Sequence, residues 1–205
     1  MSGRAVAPSA LAPWVLATMA SALVGCAASA PVTMPAEYRP AYEPARAAST
    51  NGSTRHAAAT CAVRIAEVLD QRTDPHVLGD TVTQPVRVEN SADWISSALR
   101  SLDGQSGLEF VDRPAVDGRE LVMSVELLKA YTVHLATDRA ATVVIRVKYS
   151  RGGTPIDEQI YRGATNGLNW SNGAGETLAS LNDALGKLLK PVREDISRHC
   201  LGGWR

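Results

Sequence analysis

Between Leu121 and Ala164 the chain alternates strictly enough to limit what it can fold into. Leu121, Met123, Val125 and Leu127 fall on one side of an extended backbone, and Val122, Ser124, Glu126 and Leu128 on the other. The strand can run on to Val133. After a turn at Thr137-Asp138-Arg139, Val143, Ile145, Val147 and Tyr149 alternate with Thr142, Val144, Arg146 and Lys148. A period of two is the signature of a strand. Gly152-Gly153 suits a tight hairpin turn, and Ile156 to Ala164 return as a third strand. The result is an antiparallel meander with one apolar face and one face carrying Ser124, Glu126, Arg146 and Lys148. Such a sheet is covered on its apolar side only.

Two helical patterns supply the cover. Asn90 or Ser91 is a good N-cap, followed by Trp94, Ile95, Ala98, Leu99 and Leu102 as one stripe of a three-turn helix that Gly104 stops. Near the C-terminus Leu178, Leu181, Leu185, Leu188, Val192 and Ile196 recur at three- and four-residue steps, with Pro191 expected to kink or break the helix. Cys61, Val63 and Ile65 alternate with Ala62, Arg64 and Ala66 in a first strand that ends near Asp70-Gln71-Arg72. Arg64 joins the charged face. Thr73 to Val88, with Asp74-Pro75, Gly79-Asp80 and Gln84-Pro85, reads as a long connection with at most a short strand at Val86–Val88. Leu108 to Val111 make another short strand. The expected fold is α+β: a mainly antiparallel sheet of four or five strands with two helices on one face, in a single domain over residues 60–205. A single Phe among 205 residues leaves the core to Leu, Val, Ile and Ala.

Before residue 60 the composition is different. Residues 1–25 hold Arg4 and then an apolar run from Leu11 to Val24, interrupted by Pro13 and Thr18. The run is too short for a stable membrane span and suits an export signal. It closes on Leu23-Val24-Gly25-Cys26, which resembles the lipobox of bacterial lipoproteins. The resemblance implies cleavage by signal peptidase II before Cys26, and lipid attachment on Cys26 as the first residue of the mature chain. An ordinary signal peptide cleaved after Ala28 or Ala30 is the competing reading. Residues 26–59 would then be the lipidated cysteine and a tether. That stretch is Ala, Pro, Ser and Thr without an apolar period, and cannot bury enough surface to offset its ordering entropy. As coil it would reach roughly 30 Å, holding the domain clear of the bilayer. Tyr38 and Tyr42 sit in an echo, Glu37-Tyr38-Arg39-Pro40 and Tyr42-Glu43-Pro44, that is either a docking motif or plain tether.

Three cysteines are an odd number for an exported chain. Lipid on Cys26 leaves Cys61 and Cys200, one at the start of the first strand and one at the end of the last helix. In an oxidising compartment these two read as a disulfide, worth roughly 5 kcal/mol as an upper estimate from loop entropy. Removing residues 1–25 takes only Arg4 from balanced totals of 21 and 21, leaving 20 basic against 21 acidic residues. That balance argues against nucleic acid and against a polybasic membrane patch.

Chemistry-bearing clusters are weak. Asp70, Asp74, His76 and Asp80 crowd one loop, but their spacing matches no metal-ligand pattern, and Asp is a common turn former. Gly173-Ala174-Gly175-Glu176-Thr177 precedes a helix without the Lys-Ser/Thr of a nucleotide loop. His56, His76, His134 and His199 are scattered, with no nucleophile partner in evidence. The chain therefore reads as a non-enzyme that needs no metal and no cofactor. The surface candidates for binding are Trp170, Asn169 and Asn172, because a large aromatic in a Gly/Asn-rich loop supplies binding energy when exposed.

The element order, with Val63-Arg64-Ile65 leading to Asp70-x-Arg72, then Leu78-Gly79, the meander and the closing helix, resembles small Gram-negative envelope lipoproteins of the YajG-like kind. It is also similar to the accessory lipoproteins of ABC-type and intermembrane lipid transport systems. The resemblance spans Cys61 to Cys200 and carries no catalytic residues over. It implies a non-catalytic interaction subunit of an envelope complex, with a protein partner met through the sheet edge or a helix face. The alternative is a lipid- or glycan-binding module. Ala27 after the cysteine implies the outer membrane, with the domain facing the periplasm.

Overall fold

The computed structural model describes residues 30–40, 61–81, 84–115, 118–135, 137–171 and 173–202. The meander is the backbone of the fold. Strand β6 (Leu121–Leu135) pairs antiparallel with β7 (Asp138–Arg151), and β7 with β8 (Thr154–Leu168). Gly152 and Gly153 take φ of 54° and 80°, the left-handed conformation the β7–β8 turn requires. On the other side of β6 lies β2 (Cys61–Asp70), flanked in turn by β5 (Leu108–Phe110), giving the order β5-β2-β6-β7-β8. Both of these pairings are parallel, so the sheet is mixed where the sequence suggested mainly antiparallel. Parallel neighbours need a crossover, and the β2-to-β5 connection contains α1 (Ser91–Arg100).

Strands of 14 and 15 residues run about 45–50 Å. Only a helix of comparable length can cover them, and α2 (Ala174–Gly202) has 29 residues, about 43 Å. It continues through Pro191, where the sequence suggested a kink or break. Leu188, Leu189, Val192 and Ile196 are buried on both sides of the proline, and that packing outweighs the one hydrogen bond lost. Helix α1 starts as expected, with the Asn90 side chain accepting from the Asp93 N–H. Trp94, Ile95, Ala98 and Leu99 are fully buried, and join the α2 leucines and the Leu121/Met123/Val125/Leu127 row in one core.

The opposite face is charged, and several of its charges pair across strands. Glu126 accepts from Arg146 at 2.8 Å and from Lys148 at 2.6 Å, Arg146 also meets Glu158 at 3.1 Å, and Arg64 lies 3.6 Å from Glu120.

A second sheet was not expected. Strand β3 (Val77–Asp80) pairs antiparallel with β4 (Pro85–Arg87), and β1 (Val32–Thr33) adds parallel to β4. The region from Thr73 to Val88 is thus a short hairpin over β6, with β4 near the predicted position. Ala30–Pro40, assigned by composition to a disordered tether, lies along the domain. Met34, Ala36 and Tyr38 pack against the core. Buried Asn182 explains part of the attachment: its Oδ1 accepts from Trp94 Nε1 at 2.7 Å, and its Nδ2 donates to the Glu37 carbonyl at 3.0 Å. Tyr38 reaches Gly186, where an added Cβ would stand 3.4 Å from the phenol oxygen.

Candidate functional site

Two features of the surface stand out: the Trp170 loop and the edge of β8. The loop follows β8 and precedes α2, and its conformation is fixed by one carboxylate. Glu176, in the first turn of α2, accepts from the Trp170 N–H at 2.9 Å, the Ser171 N–H at 3.0 Å and the Ser171 hydroxyl at 2.9 Å. Behind it, Arg139 is 1% exposed and donates through Nη2 to Glu176 at 3.2 Å and to the Asn169 side-chain oxygen. These donors, the two backbone N–H groups foremost, hold the Glu176 carboxyl down at about 2. The Asn169 N–H donates to the Thr137 carbonyl at 2.7 Å, tying the loop to the β6–β7 turn. With every backbone tie directed inward, the Trp170 side chain is left 83% exposed.

Of the predicted binding residues, Trp170 is therefore at the surface, Asn169 is a half-buried strut, and Asn172 lies outside the described residues. The role of Glu176 was missed. Gly173 to Thr177 read only as a capped helix start, and the clamp depends on Arg139, 37 residues away in sequence.

Strand β8 ends the five-stranded sheet. Its inner face is capped by α2 so closely that a Cβ at Gly163 would lie 1.8 Å from the Ala184 carbonyl oxygen. Its outer face presents Ile160 and Leu168, 58% and 56% exposed. The other edge, β5, has three residues.

The acidic loop does not assemble. Asp70 pairs with Arg72 at 2.6 Å and accepts from the Ser91 hydroxyl, while Arg72 also donates to the Pro75 carbonyl at 2.7 Å. The Asp-x-Arg motif is thus a staple joining β2, the connection after it and the start of α1. Asp74 accepts from the His76 N–H, and the Asp80 backbone bonds to Thr132 and Thr177. Among the described residues no group of three His, Cys, Asp or Glu side chains could hold a metal ion. The His199 ring meets Tyr149 at a tilt, with centroids 4.8 Å apart, and lies 3.2 Å from Asp157.

Cys61 and Cys200 stand at disulfide distance, with Cα atoms 5.8 Å apart. Cys26 and the apolar run before it lie outside the described residues. No helix of the described residues is long and apolar enough to cross a membrane.

No protein-family model matches the chain, and no curated protein matches it. Among solved structures, a DUF330 protein from Xanthomonas campestris is similar in fold, with a TM-score of 0.52 at 10% identity over 84% of this chain and 96% of that one. A minor lipoprotein from Acinetobacter baumannii has a TM-score of 0.47 at 11% identity, covering 67% of this chain and 91% of that one. A lipoprotein from Neisseria meningitidis has 0.39 at 13% identity, covering 67% and 99%. At these identities the likeness to the Xanthomonas protein speaks to the fold alone.

Proposed function

We propose that this chain is a lipoprotein of the cell envelope, anchored to the outer membrane through Cys26, that serves as a non-catalytic accessory subunit and binds its partner along β8. The observation that carries the reading is the open edge. A 15-residue strand that has no partner on one side among the described residues is a template for an added strand, and α2 packs across its inner face. Within this reading the complex belongs to ABC-type or intermembrane lipid transport. Its support is the sequence resemblance from Val63-Arg64-Ile65 through the closing helix. The lipobox and the apolar run before it support the anchor, and Ala27 supports the outer membrane.

A lipid- or glycan-binding module is the second reading, and Trp170 favours it, since an exposed aromatic on a clamped loop is suited to a ligand face. The test is site-specific photocrosslinking in intact cells. A probe at Ile160 should capture a defined envelope protein that a probe at exposed Ser97 on α1 does not. Identical patterns from both positions, or no protein adduct from Ile160, would refute docking along β8. Lipid co-purifying with the solubilised protein, and lost on Trp170→Ala, would favour the second reading.

A further inference from the structure

We propose that the end of the domain bearing Trp170 rests on the lipid bilayer itself, with the Trp170 side chain in the interfacial layer. The inference builds on the reading of Cys26 as the lipid anchor.

The first support is the length of chain left between anchor and domain. Among the described residues the first with a strand partner is Val32, six residues after Cys26, which pairs with Val86. Six extended residues span at most about 22 Å. Composition alone would have allowed the whole stretch to residue 59 to stand the domain off. Packing of Val32–Tyr38 removes that freedom and brings one end of the molecule to the membrane.

The second support is which end. Val32 lies beside Val86 of β4, and Pro85, at the start of β4, lies beside Asp80 of β3. The Asp80 N–H donates to Thr132 Oγ1 at 2.9 Å, and its carbonyl accepts from Thr177 at 3.2 Å, near the start of α2. His134 of β6, which also meets the Asp80 carbonyl, pairs with Arg139 of β7, and Arg139 holds the Glu176 clamp behind Trp170. The chain thus enters the domain at the end where the Trp170 loop leaves it.

The third support is what that end shows to solvent. Trp170 is 83% exposed, Leu168 56%, Val133 42% and Tyr131 40%. On the outer face, Val133, Ala140 and Asn166 form one cross-strand row, and Tyr131, Thr142 and Ala164 the next. Both rows are free of charge. Trp and Tyr favour the membrane–water interface, where an apolar body and a polar edge are both accommodated. Charge of both signs borders these rows, Asp138 beyond Val133 and the exposed Lys129 and Arg162 beyond Tyr131, so the rows themselves offer apolar area.

The test uses the full mature chain, purified from membranes and placed in phosphatidylethanolamine/phosphatidylglycerol vesicles with brominated acyl chains. Mass spectrometry first establishes acylation of Cys26. The mature chain also contains Trp94 and Trp204, so the difference from Trp170→Phe isolates Trp170. We expect blue-shifted, bromine-quenched Trp170 emission that is protected from acrylamide. A linker of about 20 Gly/Ser residues between Cys26 and Ala30, with an r.m.s. reach of about 25 Å, should remove most of that quenching while leaving acylation intact. Acylated, vesicle-bound protein whose Trp170 remains open to acrylamide, or is shielded only after envelope protein or glycan is added, overturns the inference and leaves the anchor standing. Protein without acyl mass at Cys26 overturns both.

Discussion

At Gly163 a missing Cβ sets the distance between sheet and helix. An alanine there would place its Cβ 1.8 Å from the Ala184 carbonyl oxygen and 3.2 Å from the Leu188 backbone nitrogen. Neither backbone atom can yield without moving α2. Gly163→Ala should therefore destabilise by about 3 kcal/mol or more, at the upper end of overpacking costs, read as a lower urea midpoint. An unchanged midpoint would mean that α2 does not seat there. Glu176 acts through charge. Its carboxyl titrates at about 2 in the fold against a usual 4.5, so its contribution is complete above pH 4.5 and is lost as pH falls toward 2. Amide exchange at Trp170 and Ser171, corrected for intrinsic rates, should be slow at pH 5 and fast near pH 2. Glu176→Gln should speed it at pH 5. Neither role was legible in the sequence. Gly163 looks like any glycine in a strand, and Glu176 like any acidic residue in a first helical turn, because both roles are defined by atoms distant in the chain.

Elements with their own periodicity were legible. Strands β2, β6 and β7 and both helices follow from apolar spacing, since burial of one face imposes the period, while β8 was legible only as the return from the Gly152-Gly153 turn. Strands β1 and β3 were not legible, because β1 is two residues long and β3 contains Gly79-Asp80, which reads as a turn. Val32 and Met34 are flanked by Pro31 and Pro35, residues that also mark coil. Proline is tolerated here because β1 is an edge strand, where a missing N–H costs nothing. The docked segment changes an expectation about stability. From composition, a chain beginning at Ala57 should melt within a degree or two of the full mature domain. With β1 bound to β4, Met34 and Tyr38 on the core and the Glu37 carbonyl satisfying Asn182, its loss should remove about 2 kcal/mol or more, or about 4–8 °C at this size. Equal melting curves would show that the segment adds no stability.

At the scale of the whole molecule the two ends differ in kind. One end gathers the chain's entry, the Trp170 loop and the exposed apolar rows. The other is closed by polar and covalent ties around the C-terminus of α2. There Tyr161 donates to Asp195 at 2.7 Å and bonds to Tyr149 at 2.8 Å, Arg151 donates to the His199 carbonyl at 3.0 Å, and Cys200 meets Cys61. Burial pushes both phenols well above the usual range, Tyr161 all the more because it donates to a carboxylate. They stay neutral and hold the network at any pH the envelope meets. The cysteine pair was legible from parity once one thiol was given to lipid, even though 139 residues separate its members. A loop of that length is where a cross-link acts most strongly on the unfolded chain, with a ceiling of about 5 kcal/mol. The double variant Cys61→Ser, Cys200→Ser should lose about 2–5 kcal/mol in urea unfolding, with its folded-state circular dichroism unchanged. Reduction of the wild-type protein should reproduce that loss, and peptide mapping of exported protein should return the linked pair. If both thiols are free in protein taken from an oxidising compartment, the bridge is absent. The Tyr149–Tyr161–Asp195 chain would then be the principal tie at that end, and Tyr161→Phe, expected to cost about 1–2 kcal/mol, would become the more damaging change.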